Sequence, residues 1–408
     1  MKILVVTQYF WPETFRINEL VEMLVAQGNQ VTVLTGVPNY PSGSVFPEYK
    51  ENPSAFIQLE GADVKRVPMM SRGTGSFRLA LNYLSFALAA STIGPWLLRG
   101  KEYDAIFTYE PSPITVGIPA LVLRKLKGAK NCLWVLDLWP ETPSALGLLK
   151  FQPLFKATEY LVKFIYKHTD LILIQSPGFI DSIRKYAPEK TRVEYFPSWA
   201  DAVFDTQSTK LAPEIQKSHD VFTILFAGNV GEAQDFESIL SAAELLKKKN
   251  NKIRFFVLGD GRRTDWVKEE IERRDLSNII TMLGRFPIQR MPEFFNHADA
   301  LLVSLQSNPV FAATIPAKVQ AYMAAGLPIL ALLDGEGADA IKRWNCGIVA
   351  NSGNSQGLAA AIMELAGATV AQRREMGANG RKGVDAEFNR DKLVNDLLGW
   401  LAEMQVRM

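Results

Sequence analysis

The chain has 408 residues, 48% of them hydrophobic, and its 45 Lys and Arg nearly balance 43 Asp and Glu, for a formal net charge of +2. That length exceeds what one hydrophobic core usually serves and predicts two domains, while the balanced charge excludes the broad cationic field of a nucleic-acid binder, so any anion site is local. The two cysteines, Cys132 and Cys346, support neither a disulfide framework nor a zinc cluster and fit a reducing, cytoplasmic setting.

From the amino end, the apolar run Lys2 to Thr7 reads as a strand, and polar Gln8 directly after it argues against a secretory leader. Ile17, Leu20, Val21, Leu24 and Val25 recur at helical spacing as far as Gly28, and Gln30 to Thr35 is a second strand-like run. Together they predict a βαβ unit with parallel strands and a right-handed crossover. The loop between strand and helix, QYFWPETFRIN, holds no glycine. The glycine fingerprint that lets a backbone approach a dinucleotide pyrophosphate is therefore missing where a nicotinamide enzyme needs it.

Leu79 to Leu98 is an apolar stretch of bilayer length flanked by Arg72, Arg78, Arg99 and Lys101. Its polar face and the Gly94-Pro95 break favour a helix lying against the domain or in a membrane interface over a true span. Strands are expected at 104–108, 131–135, 171–174 and 192–196, with a helix near 155–167 that carries Lys156, Lys163 and Lys167 on one face. The apolar pattern lapses after Pro197. A second strand series follows at 221–227, 253–258, 279–283, 300–303, 328–331 and 347–349, and a last amphipathic helix carries Leu393, Val394, Leu397, Leu401 and Met404. The division expected is a first domain over 1–200, a linker over 201–218, a second domain over 219–385, and a helix over 386–408 bracing both.

The second half contains, in order, FTILFAGNVGEAQDFESIL, FFVLGDG, TMLGRF, ADALLVSL and TIPAKVQAYMAAGLPIL. At these spacings the chain resembles the family 4 glycosyltransferases over nearly its whole length. With QYFWPE and WVLDLWPE in the first half, it also resembles bacterial N-acetylfucosamine (FucNAc) transferases of O-antigen and capsule assembly. The resemblance implies an α/β, GT-B fold: two facing Rossmann-like doubly wound domains with a cleft between them. Nucleotide sugar would bind mostly to the second domain and acceptor to the first, without a metal or other cofactor, and with retained stereochemistry.

Helix N-termini and glycine loops can meet a diphosphate without metal. Gly228, Asn229, Val230, Gly231 and Gln234 form one such loop. Thr314, Ile315 and Pro316 open a helix carrying Lys318 and Gln320, and Gly259, Asp260, Gly261 and Arg285 mark strand ends where the family packs the nucleoside. An ordinary βα turn and a solvated lysine are the plain alternatives. The family's basic pair in the first loop is replaced near Asn229 and Gln234, and its two glutamates fall at Ala313 and Ala321. In the first domain the family histidine falls at Leu136, leaving Asp137 to orient or deprotonate an acceptor hydroxyl, with Glu141 in reserve. Glu13, Trp11 and Arg16 fall in the loop that the resemblance turns toward substrate, a capping loop with a packed tryptophan being the alternative. His168, His219 and His297 match no catalytic position and are read as structural or exposed.

The basic faces around Arg78 and Lys156, Lys163 and Lys167 suit an anionic inner-membrane surface. The expected activity is transfer of an N-acetylated deoxyhexosamine such as FucNAc from a UDP-sugar to an undecaprenyl-diphosphate-linked N-acetylhexosamine, by a cytoplasmic enzyme peripheral to the plasma membrane. A catalytically lapsed sugar-nucleotide scaffold and a UDP-sugar 2-epimerase are the alternatives.

Overall fold

The computed structural model describes every residue except 74, 146, 148, 150, 205–208, 217–219, 250–251 and 407–408. His219 and part of the expected linker lie outside the described residues. The chain divides into a first unit, Met1–Phe196 with Asp391–Met408, and a second, Pro197–Arg390.

The first unit is built on eight strands: β1 (Lys2–Val6), β2 (Gln30–Gly36), β3 (Gln58–Leu59), β4 (Ala62–Val67), β5 (Ala105–Glu110), β6 (Lys130–Val135), β7 (Leu171–Ile174) and β8 (Arg192–Tyr195), in the sheet order β3-β4-β2-β1-β5-β6-β7-β8. All neighbours are parallel except β3 and β4. Runs such as AIFTYE and LILI are buried on both faces because helices cover both sides of a parallel sheet. Strand order reverses between β1 and β5, so their carboxyl ends open the crevice where doubly wound sheets bind ligands. Trp134 on β6 anchors this half. It is wholly buried, donates from Nε1 to the Phe196 carbonyl at 3.0 Å, and meets the rings of Phe196 and Tyr109 at 4.8 and 5.5 Å.

The second unit repeats the plan with β9 (Phe222–Ala227), β10 (Ile253–Leu258), β11 (Ile280–Gly284), β12 (Ala300–Ser304), β13 (Ile329–Leu332) and β14 (Gly347–Ala350), in the order β11-β10-β9-β12-β13-β14, with every neighbouring pair parallel. Its switch point lies between β9 and β12.

Two expected boundaries are corrected. The second unit begins at Pro197, and the described part of 201–218 belongs to it, because Phe204, Ala212 and Ile215 are buried in one core cluster with Met291, Phe294 and Phe295. The final helix, Arg390–Val406, groups with the first unit. Val394, Leu397 and Leu401 on its predicted face are wholly buried, Glu403 pairs with Arg192 on β8 at 2.6 Å, and Trp400 meets Phe196 edge-on at 6.2 Å.

Candidate functional site

In the second unit the carboxyl ends of β9, β10 and β11 carry three glycine turns. Gly228 and Gly259 hold φ of +142° and +136°, values that L side chains rarely adopt. A Cβ built on Gly259 would lie 1.8 Å from the Gly228 carbonyl oxygen, and one on Gly261 would lie 2.3 Å from that of Val230. The two loops are therefore joined backbone to backbone: Gly228 N donates to Leu258 O and Val230 N to Asp260 O, both at 2.8 Å, and Gly259 N donates to Gly284 O at 2.7 Å. The far flank is fixed from β12, where buried Ser304 donates to the Gln234 carbonyl at 2.6 Å and Gln306 N donates to Ala233 O at 2.8 Å. Asp235 then caps the helix Phe236–Lys248 by accepting from Ser238 N, and also accepts from Gly353 N. Asn229, Asp260 and Arg285 are exposed along this edge.

Lys318 meets this loop from the first turn of the helix Ala317–Ala325. Thr314 is held by donating to Val310 O at 3.0 Å, Ile315 is buried, and extended Pro316 leads into the helix. The Lys318 ammonium is buried without a hydrogen-bond partner, 3.7 Å from the centre of the Phe226 ring, and its Cε would lie 2.3 Å from any Cβ on Gly228. Burial without a counter-charge pushes its pKa down to about 7. The arrangement joins a cation on an aromatic face, glycine-lined backbone and a helix N-terminus, groups that can chemically receive an anion.

Two residues read as donor contacts have other work. Gln234 accepts from Gly231 N at 3.1 Å and from the Asn229 side chain at 3.3 Å, so its carbonyl oxygen braces the loop. Gln320 is buried and donates to Ser198 O at 3.0 Å, which makes it an internal anchor of the second unit.

In the first unit Glu13 is also corrected. Its Oε1 accepts from Asn39 N and Tyr40 N, each at 2.7 Å, and Oε2 accepts from Phe10 N at 3.1 Å, in a side chain only 2% exposed. Burial raises its pKa, and the three amides and nearby Arg66 pull the other way. A carboxylate so engaged ties β1 and β2 loops together and is not placed to exchange protons with substrate. Trp11 packs on Phe56 with ring centres 4.9 Å apart, and Arg16 pairs with Glu19 at 2.7 Å.

Asp137, beyond the end of β6, is partly exposed. Burial raises its pKa, while the side chains of Thr142, Ser112 and Trp139 and the Leu138 amide work in the opposite sense. Glu141 accepts from Ser182 at 2.9 Å. Next to them stands Glu110, the last residue of β5, wholly buried and not singled out from the sequence. Its only sequence signal is a carboxylate closing an otherwise apolar strand. His168 and His297 bond to the carbonyls of Phe164 and Ala212 at 2.8 and 2.9 Å and fit structural roles.

A cavity of about 820 Å³ opens at the amino ends of β9 and β10 beside Arg254, His297 and Asp299. It lies at the opposite sheet edge from the glycine turns, where strand-end ligand sites of this architecture do not fall.

The apolar stretch near 79–98 is the helix Ser76–Leu97. It buries Asn82, Phe86, Ala90 and Gly94, and exposes Phe77, Leu84, Leu88 and Trp96, the last under Arg99 at 4.7 Å. The helix Gln152–Lys167 buries Val162, Ile165 and Tyr166 and exposes Leu154, Lys156, Tyr160, Lys163, Phe164 and Lys167. Among the described residues no helix is long and apolar enough to cross a membrane.

Each unit coincides with a known sequence family. Residues 14–199 match the glycosyl transferase 4-like domain, and residues 207–383 match glycosyl transferases group 1. The chain is a glycosyltransferase of the GT-B fold. It is 26% identical to WcaI of Escherichia coli K12, named as a colanic acid biosynthesis glycosyl transferase, over 80% of this chain and 82% of that one. It is 30% identical to WbjE of Pseudomonas aeruginosa, named as a glycosyltransferase, over 61% of this chain and 63% of that one. Among solved structures, Anabaena HepE in complex with UDP superposes with a TM-score of 0.70 at 14% identity, covering 99% of this chain and 100% of that one, a likeness of fold.

Proposed function

We propose that the chain transfers a sugar from a UDP donor to a growing bacterial surface polysaccharide, retaining stereochemistry and using no metal. The observation that carries this reading is Lys318, a buried ammonium without a hydrogen-bond partner among the described residues, packed against a glycine turn where a Cβ would clash. A nucleotide diphosphate supplies the missing charge, and the Gly228 to Gly231 backbone with the Ala317–Ala325 helix start receives the rest of it. When the glycosidic bond to phosphate breaks, negative charge grows on the leaving oxygen, which preorganised donors stabilise without reorganising. On the retained face that oxygen takes the acceptor proton, so the absence of a histidine at Leu136 is tolerable. Asp137 then orients the acceptor hydroxyl rather than carrying the whole burden of deprotonation.

A UDP complex among proteins of the same fold and a relative named for colanic acid biosynthesis support a UDP-sugar and a polysaccharide product. The finer reading is FucNAc transferred to an undecaprenyl-diphosphate-linked N-acetylhexosamine in O-antigen or capsule assembly. The exposed apolar stripe of the Ser76–Leu97 helix, with Arg78 and Arg99 at its ends, and the lysine face of Gln152–Lys167 fit docking at the anionic inner face of the plasma membrane.

The test is thermal stabilisation by UDP, GDP, dTDP and their sugars with EDTA present, because a ligand that binds only the folded state raises its melting temperature. Stabilisation by UDP compounds alone, unaffected by EDTA, is expected. Dependence on added metal would remove the metal-independent reading, and stabilisation without turnover would favour a lapsed scaffold, to which Leu136, Ala313 and Ala321 point.

A further inference from the structure

One stretch of the first unit is cationic with no acids of its own. No Asp or Glu occurs between Asp63 and Glu102, while Lys65, Arg66, Arg72, Arg78, Arg99 and Lys101 do, and the segment between Glu22 and Glu48 is likewise free of acids. Four of these cations have partners: Asp63 pairs with Lys65 and Lys101, Arg66 donates to the carbonyls of Gly36 and Trp11, and Arg99 lies over Trp96. Arg72 and Arg78 differ. Among the described residues neither pairs with a carboxylate, and Arg72 is partly exposed and Arg78 exposed.

The backbone brings these two arginines together at the carboxyl edge of the sheet. The loops after β2 and β4 meet where Gly73 N donates to Gly43 O at 3.2 Å, and a Cβ on Gly43 would lie 3.0 Å from Gly73 N. Gly73 holds φ of +55°, and a Cβ there would lie 2.5 Å from Arg78 Cδ, so the Arg78 stem lies against the backbone next to Arg72. The Arg72 guanidinium lies over the Tyr40 ring, 5.2 Å from its centre, and its charge also acts on Tyr9. Stacking of this kind fixes the guanidinium plane and turns its edge N–H groups toward an oxyanion. Buried Asn39 and Asn82 hold both loops: Arg72 N donates to Asn39 Oδ1 at 3.0 Å, Asn39 N to Glu13 Oε1 at 2.7 Å, and Asn82 Nδ2 to Met70 O at 2.6 Å. A satisfied buried network of this kind keeps a loop in one shape. The helix Ser76–Leu97 then starts with no acid in its first turn and no side chain capping its amides.

We propose that Arg72 and Arg78 bind the diphosphate of the lipid-linked acceptor, with Tyr40 as the platform that holds Arg72 flat. A diphosphate diester is a double anion, and two guanidinium forks joined across one glycine each take one phosphoryl group. A membrane headgroup offers a single phosphate diester of the same chemistry, and the loop-fixed pair fits the doubled anion. The exposed Phe77, Leu84 and Leu88 follow at helical spacing on the same helix, which receives the polyprenyl chain. The inference rests on the polyprenyl-diphosphate acceptor proposed above, and it gives the enzyme a means of choosing a carrier-borne glycan over a free one.

The experiment is calorimetric titration of farnesyl diphosphate into the full-length protein, with UDP saturating so that the donor site is filled and with EDTA present. Farnesol is the control, and Arg72→Gln and Arg78→Gln are compared with the wild type. Each variant should lose about tenfold or more in affinity for farnesyl diphosphate, the cost of one charge-assisted contact, and nothing for farnesol. Thermal stabilisation by UDP should be unchanged, which shows the variants folded, and Arg72→Gln should float with phosphatidylglycerol vesicles as the wild type does. No binding of farnesyl diphosphate by the wild type, equal affinity in the variants, or parallel losses for diphosphate and alcohol would overturn the proposal. So would lost flotation with the diphosphate affinity intact, which assigns the arginines to headgroups. If UDP fails to stabilise the protein while farnesyl diphosphate binding still depends on both arginines, the donor reading falls and this site stands. Transfer to decyl-GlcNAc as fast as to decyl-diphosphate-linked GlcNAc would instead remove the acceptor reading, and with it the role given to the arginines.

Discussion

A buried lysine ammonium without a hydrogen-bond partner is costly as a charge, and among the described residues Lys318 is held so against Phe226. With its folded pKa lowered to about 7 from 10.5, the folded protein binds fewer protons than the unfolded chain between those values. Stability from this group is therefore present at high pH and is lost as pH falls through about 7. Lys318→Met should raise the melting temperature of the ligand-free protein at pH 7 and abolish its stabilisation by UDP, the trade expected of a residue strained for binding. Donor affinity in the wild type should weaken as pH rises above about 7, approaching tenfold per unit, with proton uptake on binding seen by calorimetry in buffers of different ionisation heat. A Lys318→Met protein that binds UDP normally would remove Lys318 from the site. The glycines and this lysine were legible in the sequence because their order and spacing are specific. Glu13, Gln234 and Gln320 were not, since a polar residue near a site looks the same in sequence whether it faces a ligand or satisfies the backbone beside it. Glu110 was hidden for the opposite reason: it reads as the end of a buried strand.

At the scale of elements, the turn after β10 shows how tightly two loops are joined. Gly259→Ala would thrust a methyl into the Gly228 carbonyl at a positive φ, and overpacking with backbone strain costs roughly 2–5 kcal/mol. Urea unfolding should show that loss together with failure to bind UDP. Gly28→Ala, also at positive φ but with nothing within 4 Å, should cost only about 1–2 kcal/mol, and equal effects would sink the clash argument. The Ser76–Leu97 helix makes a second prediction. Replacing exposed Leu84 and Leu88 by Ser should leave the fold's stability within about 0.5 kcal/mol yet weaken binding to anionic vesicles in flotation. Unchanged flotation would assign that stripe no membrane role. Twelve of the fourteen strands among the described residues were legible as apolar runs. β3 is only two residues long, and β4 was missed because ADVKRV interrupts its apolar positions with charges that stay satisfied at the surface, Asp63 pairing with Lys65 at 2.9 Å and also with Lys101.

For the whole molecule, the division into units depends on a helix far from the rest of its unit in sequence. The apolar stripe of Arg390–Val406 was visible, but periodicity says only that a face needs covering, not which surface covers it. Removing residues 391–408 should expose the surface around Phe196 and lower the stability of the first unit, while UDP still stabilises the second. A truncated protein with two undisturbed transitions would contradict the assignment of that helix.

This return of the chain has a consequence for the order in which the protein is made. The ribosome finishes nearly all of the first unit early, then builds the second entirely, and only afterwards delivers the helix that closes the first. The half begun first is thus completed last, and during the interval its side of the Arg390–Val406 seam is open to chaperones, proteases or another nascent chain. A stop codon or frameshift late in the message would damage the opening half of the protein and spare the half translated just before it.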